Sequence, residues 1–313
     1  MYNQDMKISD QENFRSGYAA VVGRPNVGKS TLINALLGQK IAAVSSKPQT
    51  TRLKQLGILT LPQAQIVFID TPGLHIARHK LGAGMNALAE EALAEADVVL
   101  WLVDARQPPH SEDELITEKM AALSKLPPII QVLNKMDLIS PQQLDEQRKK
   151  FADLYPGVCQ VPVSALQGEG LDELLNEILP HIMPGEAFFP ADQVTDYYER
   201  EIAADLIREA ALEHLHDEVP HAIAVRMDQF KERGDSGALI SATLLVEKES
   251  QKGIVIGKGG EMLKAIGTSA REAIELMSGR SVYLELRVKV NKNWRADPAF
   301  LRGMGYPQPE DNA

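Results

Sequence analysis

The chain of 313 residues is short of cysteine, tryptophan and aromatic side chains generally, with one Cys, two Trp and 5 % aromatics. With no second thiol, Cys159 can make no internal disulfide and cannot found a cysteine-based zinc site. It is expected as a small apolar filler in a strand. Long hydrophobic runs are missing as well: Val98–Val103 stops at Asp104, far short of the ~18 apolar residues of a membrane span. The start, MYNQDMKISDQEN, has neither the basic opening nor the apolar block of a secretion signal, so a cytoplasmic protein is expected. Repeats and low-complexity tracts are absent. A composition of 44 % hydrophobic and 24 % charged residues excludes disorder, collagen and coiled-coil arrays. Positive charge is scarce: 33 Lys and Arg face 43 Asp and Glu, a net of −10 that on its own argues against nucleic acid.

What is present is an alternation of short apolar runs with helical patterns, which predicts βαβ units and a mostly parallel sheet over the first 184 residues. Tyr18–Val22, Ile66–Ile69, Val98–Val103, Ile129–Leu133 and Cys159–Val163 read as buried strands. Leu171, Leu174, Leu175, Ile178 and Ile182 make a helix stripe closing that unit. Prolines and glycine at 180–190 mark a boundary, with 185–192 expected as a linker. The remainder, 193–305, reads as helix (Val194–His214), strand (Ala222–Arg226), strand (Ala238–Val246), a helical edge, a glycine turn at 257–260, helix to Met277 and strand Ser281–Val290. The fold class is therefore α/β, followed by a small α+β unit.

Gly23-Arg24-Pro25-Asn26-Val27-Gly28-Lys29-Ser30, followed by Thr31, fits G-x-x-x-x-G-K-[ST] between a predicted strand and helix. Glycines let backbone N–H groups curl around phosphate, the helix start adds positive potential, Lys29 reaches the outer phosphates and Ser30 can ligate Mg²⁺. Asp70-Thr71-Pro72-Gly73 follows the next strand, where a carboxylate faces the metal and a glycine amide the γ-phosphate. Asn134-Lys135-Met136-Asp137 follows another, and a carboxylate at Asp137 accepts from guanine N1–H and its amine, donors that adenine lacks. Ser164-Ala165-Leu166 then offers amides to the guanine carbonyl. All four segments lie at carboxyl ends of strands, where open α/β sheets bind ligands.

In these motifs the chain resembles the translation-factor-related GTPases of the TrmE–Era–EngA group. Lys47-Pro-Gln-Thr-Thr-Arg52 looks like that group's switch I. Either Thr50 or Thr51 would close over Mg²⁺, and the resemblance favours Thr51. Leu74 stands where Ras-like GTPases carry a water-orienting glutamine. Similar GTPases lean on K⁺ held by a phosphate-loop asparagine, here Asn26, so K⁺-assisted hydrolysis is expected with Lys29, Thr51 and Gly73 in the machinery. His75 and His79 are expected as ordinary switch II residues.

In the second unit, Gly257-Lys258-Gly259-Gly260 is a G-x-x-G turn behind Ile254 and Ile256 and ahead of Lys264. Such a turn approaches a sugar–phosphate backbone while apolar neighbours line a groove for unpaired bases, the KH mode of clamping about four nucleotides. Residues 185–247 carry a net charge of −9, residues 248–302 a net of +5. The global sign thus hides a basic final module. Lys289, Lys292 and Arg295 surround Trp294, which serves either base stacking or the core.

A G domain joined to a type II KH domain resembles the Era family. The resemblance implies a monomeric GTP/GDP switch that binds small-subunit (16S) ribosomal RNA, assists 30S assembly and associates peripherally with the inner membrane. Alternatives are an RNA chaperone with incidental hydrolysis, or a GTPase whose final domain docks protein or lipid.

Overall fold

The computed structural model describes residues 14–307 apart from 45–50, 78, 124, 218 and 233–236. Its first unit runs β1 (Arg15–Val22), α1 (Lys29–Leu37), β2 (Gln55–Leu61), β3 (Ala64–Asp70), α2 (Lys80–Glu95), β4 (Val98–Asp104), α3 (Ser111–Ala121), β5 (Ile129–Asn134), α4 (Pro141–Leu154), β6 (Cys159–Pro162), α5 (Leu171–Ile178) and β7 (Met183–Pro184). The sheet order is β2-β3-β1-β4-β5-β6, with β7 added antiparallel to β1. The pairs β3–β1, β1–β4, β4–β5 and β5–β6 are parallel; β2 is antiparallel to β3. Helices cover both faces, which is why β4 reads as the unbroken run VVLWLVD: Leu100 and Leu102 pack on one side, Val99, Trp101 and Val103 on the other. Each such side chain contributes ~1.5–3 kcal/mol of burial.

Strand β2 is not among the expected strands, because its turn at Pro62-Gln63 carries no glycine or asparagine to signal a hairpin. Cys159 is exposed, with Sγ 3.5 Å from Glu177 Oε2. It corrects the expected filler role: β6 is an edge strand and needs no apolar side chain there. Residues 185–192 run along the first sheet. Gly185 N donates to Phe14 O, Phe188 stacks on Tyr18 at 5.2 Å, and Gln65 exchanges side-chain hydrogen bonds with both backbone groups of Phe189. The helix expected from Val194 starts at Glu199, because Ile58 N bonds Val194 O, Gly57 bridges Thr195 and Leu56 N bonds Asp196.

The second unit comprises α6 (Glu199–His214), β8 (Ala224–Glu232), β9 (Ala238–Val246), α7 (Glu249–Ile256), α8 (Glu261–Ser278), β10 (Val282–Val290) and α9 (Pro298–Gly303). Its sheet is β10-β9-β8, with β8 antiparallel and β10 parallel to the central β9. α6 and α8 pack on one face through Ile202, Leu206, Ile207, Ile266, Ala270 and Ile274. Trp294 is fully buried and its Nε1 donates 2.9 Å to Ala222 O, so it belongs to the core and not to a stacking surface.

Candidate nucleotide site and nucleic-acid groove

The loop between β1 and α1 is shaped by two glycines. Gly28 sits at φ 104°, and a Cβ there would lie 2.3 Å from Asn134 Nδ2; at Gly23 it would lie 2.4 Å from Leu102 O. Asn26 is also left-handed, at φ 64°. Pro25, Asn26, Gly28, Lys29, Ser30, Thr31, Thr51 and Gly73 line one pocket, together with Ala43 and Val44, to which no sequence motif points. Lys29 Nζ donates to the carbonyls of Gly23 and Arg24 at 3.1 and 3.2 Å. Burial lowers its pKa to about 8 against the opposing pull of Asp70. Arg24 is engaged with buried Asp113 at 3.4 Å and with Gln107, so its side chain braces the loop from behind.

Thr51 Oγ1 and Ser30 Oγ are 2.8 Å apart, and Asp70 Oδ2 accepts from Ser30 at 2.7 Å and Thr51 at 3.1 Å. Asp70 Oδ1 is buried with no partner among the described residues, and burial raises its pKa. Three hard oxygens beside an orphaned carboxylate oxygen fit a small divalent cation such as Mg²⁺. Thr50 lies outside the described residues. Thr71 is pinned to Val21 O at 2.7 Å, and Gly73 lies against Pro25, where a Cβ would come within 2.7 Å of the Pro25 nitrogen. Leu74 is fully buried and donates its N–H to Gly23 O, so its side chain faces the core and not the phosphates. His75 Nδ1 lies 2.8 Å from Gly73 O, and His79 is exposed at the start of α2.

On the base side, Asn134 ties three loops together. Its Nδ2 donates to Val27 O at 2.8 Å, and its Oδ1 accepts from Lys135 N and from Ala165 N at 3.0 Å. Lys135 adopts φ 68° and bridges Asn26 O and Asp104 Oδ2, each at 2.7 Å. Burial works against ionisation of Asp104, but hydrogen bonds from Arg106 and Lys135 outweigh it and hold the pKa at about 2. Met136 N donates to Val163 O, and Asp137 and Leu166 are both exposed. With Asp137 exposed, a base stacked in the site would have to supply the burial that sharpens its choice of guanine. Ser164 is buried, and the Ala165 amide expected for a guanine carbonyl is engaged by Asn134.

The two units meet around Arg52. This residue is 3 % exposed; its Nη1 donates to Ile223 O at 2.7 Å and its guanidinium lies 5.6 Å from the Trp294 ring centroid. Tyr306 hydrogen-bonds it from the final segment. Burial, reinforced by the like charge of Arg208, lowers its pKa to about 10, which leaves it charged at neutral pH. Leu81 and Met85 of α2 pack with Trp294, Leu301 and Tyr306 in the same cluster. Lys40 pairs with Glu209 of α6 at 2.9 Å.

In the second unit, Gly257, Gly259 and Gly260 have φ of 72°, 63° and 84°. A Cβ on Gly257 would collide with Met262, whereas at Gly259 and Gly260 it would meet nothing within 4 Å. Gly260 and Lys264 line a groove with Leu263, Gly267, Thr268 and Arg271 of α8 and Leu284 and Leu286 of β10. Those last six were missed, although the alternation Leu284, Leu286 and the small residue one helical stretch beyond Gly260 mark them. Lys258 is exposed in the turn, Ile254 is exposed and Ile256 half-buried on α7. Lys289, Lys292 and Arg295 do not line the groove: Lys289 alternates onto the opposite sheet face, Lys292 lies past the strand, and Arg295 is ion-paired with Glu247.

Residues 18–135 match the 50S ribosome-binding GTPase family and residues 218–295 the KH domain family. The chain is 47 % identical over 296 residues to the GTPase Era of Geotalea uraniireducens, covering 95 % of this chain and 99 % of that protein. It belongs to the Era family of GTPases. To the Era GTPase of Heliobacterium modesticaldum it is 41 % identical over 297 residues, covering 95 % and 99 %. A crystal structure of Era with MgGDPNP and nucleotides 1506–1542 of 16S ribosomal RNA superposes with TM-score 0.89 at 41 % identity, over 94 % of this chain and 99 % of that one. A point variant of Aquifex aeolicus Era bound to GDP·AlF4⁻ gives 0.89 at 40 %, with the same coverage. The protein is thus a GTPase, and the Era assignment accounts for both halves: a G domain with a mostly parallel sheet and a KH domain behind it.

Proposed function

We propose that this Era-family GTPase is a switch whose KH domain binds small-subunit ribosomal RNA and whose GTP cycle serves 30S assembly. The observation that carries the RNA half is the G-x-x-G turn, with exposed Lys258 and Lys264 and two open glycines over the groove between α8 and β10. An Era of known structure holds 16S ribosomal RNA nucleotides 1506–1542, which supports the same target here. The family resemblance extends the proposal to a monomer in the cytoplasm with peripheral contact to the inner membrane. Crosslinking in cells and sequencing of bound RNA tests it: enrichment of small-subunit ribosomal RNA is expected, and its absence sinks the assembly role.

In the G domain, loop amides of 23–30 and Lys29 hold the phosphates, and Asp137 and the 164–166 loop read guanine. Ser30, Thr51 and Asp70 would hold Mg²⁺, which when bound supplies charge neutralisation on the outer phosphates. The Gly73 amide, set against Pro25, positions the γ-phosphate for in-line attack by water, and Lys29 absorbs developing charge.

Lys29 gives this binding step a pH signature. Phosphate favours the charged amine, so its pKa rises from about 8 on binding. GTP affinity is therefore full below pH 8 and falls by up to about tenfold per unit above it, with a proton taken up. Calorimetry in buffers of different ionisation enthalpy reads this directly; no buffer dependence at pH 9 would refute it.

Buried Leu74 cannot orient the attacking water, so the reading includes K⁺ assistance at Asn26, which lines the pocket. Replacing K⁺ by Na⁺ should slow turnover about tenfold or more, roughly 1.4 kcal/mol in barrier. Equal phosphate release in both salts would remove K⁺ from the mechanism, and turnover near zero in both would favour the RNA-chaperone reading.

A further inference from the structure

Thr51 and Arg52 are adjacent, yet their side chains belong to different domains. The Thr51 hydroxyl rests on Ser30 and Asp70 at 2.8 and 3.1 Å, inside the pocket. The Arg52 guanidinium is buried against Ile223 O, the Trp294 face and the Tyr306 hydroxyl, all in the second unit. A buried charge without partners costs several kcal/mol, so Arg52 stays where those three groups are. One peptide unit then leaves the Thr51 hydroxyl little freedom.

We propose that Arg52 is a positioning residue for GTP hydrolysis, holding Thr51 over the metal-facing corner by an anchor supplied by the KH domain and the 294–306 segment. The γ-phosphate side of the site is then completed across the domain junction. Two features fit. Lys40 and Arg52 both reach the second unit, since Lys40 pairs with Glu209 while Arg52 bonds Ile223 O. The helix after the second phosphate-facing loop, α2, packs Leu81 and Met85 onto Trp294, Leu301 and Tyr306. The base site is held differently: Asn134, Lys135 and Asp104 bond to one another's loops and to Val27 and Asn26 within the G domain. Loss of the anchor should therefore touch hydrolysis and spare GDP affinity.

The inference rests on the reading of Thr51 as metal-facing. Four full-length variants separate the two. Thr51→Ala should lower kcat at least about 100-fold; unchanged kcat overturns both the reading and the inference. Arg52→Met, which keeps the stem and removes the donors, should lower kcat about tenfold or more, with KM for GTP and Kd for GDP within about threefold of the parent. Arg52→Lys should recover part of the loss by returning a cation to the Trp294 face. Tyr306→Phe, remote from the pocket residues and isosteric, should lower kcat about threefold and be non-additive with Arg52→Met. Loss of kcat in Thr51→Ala but not in folded Arg52→Met, judged by thermal melting with GDP, overturns the inference alone. Should Arg52→Met fail to fold, unchanged kcat in Tyr306→Phe does the same.

Discussion

Asp137→Asn should cost this GTPase on the order of 10²- to 10⁴-fold in GTP affinity, the loss of two charge-assisted hydrogen bonds of ~1.5–3 kcal/mol each. The carboxylate presents two acceptors to the N1–H and amine of guanine. An amide presents one acceptor and one donor, so its N–H₂ is forced against the guanine amine. Xanthine places a carbonyl there, and the variant should bind xanthosine nucleotides in preference. The fold should hold, because Asp137 is exposed at the rim while Asn134 and Lys135 carry the bonds that join the loops. Surface changes of this kind stay within about 0.5 kcal/mol. Competition of GTP and xanthosine triphosphate against a fluorescent nucleotide measures the switch; GTP affinity within threefold of the parent would overturn the role given to Asp137.

How much of this was legible beforehand depends on how local each signal is. Gly23, Asp70 and Asn134 lie far apart in sequence, yet each closes its own apolar run, and parallel strands deliver their carboxyl ends to one rim. Pattern alone therefore located the nucleotide site. The edges were less legible. The turn after β2 had no glycine or asparagine, Cys159 landed on an edge strand where its polarity is immaterial, and residues 194–196 pair with β2 instead of extending α6. Side chains whose neighbours come from a distant segment were illegible in principle. Arg52 reads as a loop cation until Ile223, Trp294 and Tyr306 surround it, and Arg295 reads as RNA-facing until Glu247 pairs with it. Net charge is equally blind to position: +5 over 248–302 says nothing of which cations reach the groove. The alternation of β10 decides it, sending Lys289 to the face away from α8.

Replacing Gly259 and Gly260 together by Asp should abolish RNA crosslinking and lower RNA affinity at least about 30-fold. Both positions have left-handed φ, 63° and 84°, and a Cβ at either meets nothing within 4 Å. Asp is among the residues that tolerate this region best, so the backbone cost is of order 1–2 kcal/mol per site and the domain stays folded. Gly260 also precedes α8 with no side-chain cap, where an Asp carboxylate is favourable to the helix. The open space is what an approaching sugar–phosphate chain would use. Two carboxylates there meet phosphates at about 4 Å, a repulsion of ~1 kcal/mol each in water and ~4 kcal/mol in a partly shielded groove. The loss should shrink as salt is added, because screening weakens the repulsion. Filter binding across a salt series, with GDP affinity and thermal melting as controls for folding, gives the result. Undiminished RNA binding by the folded double variant would move the RNA contact away from the turn and reopen the final domain as a docking module for protein or lipid.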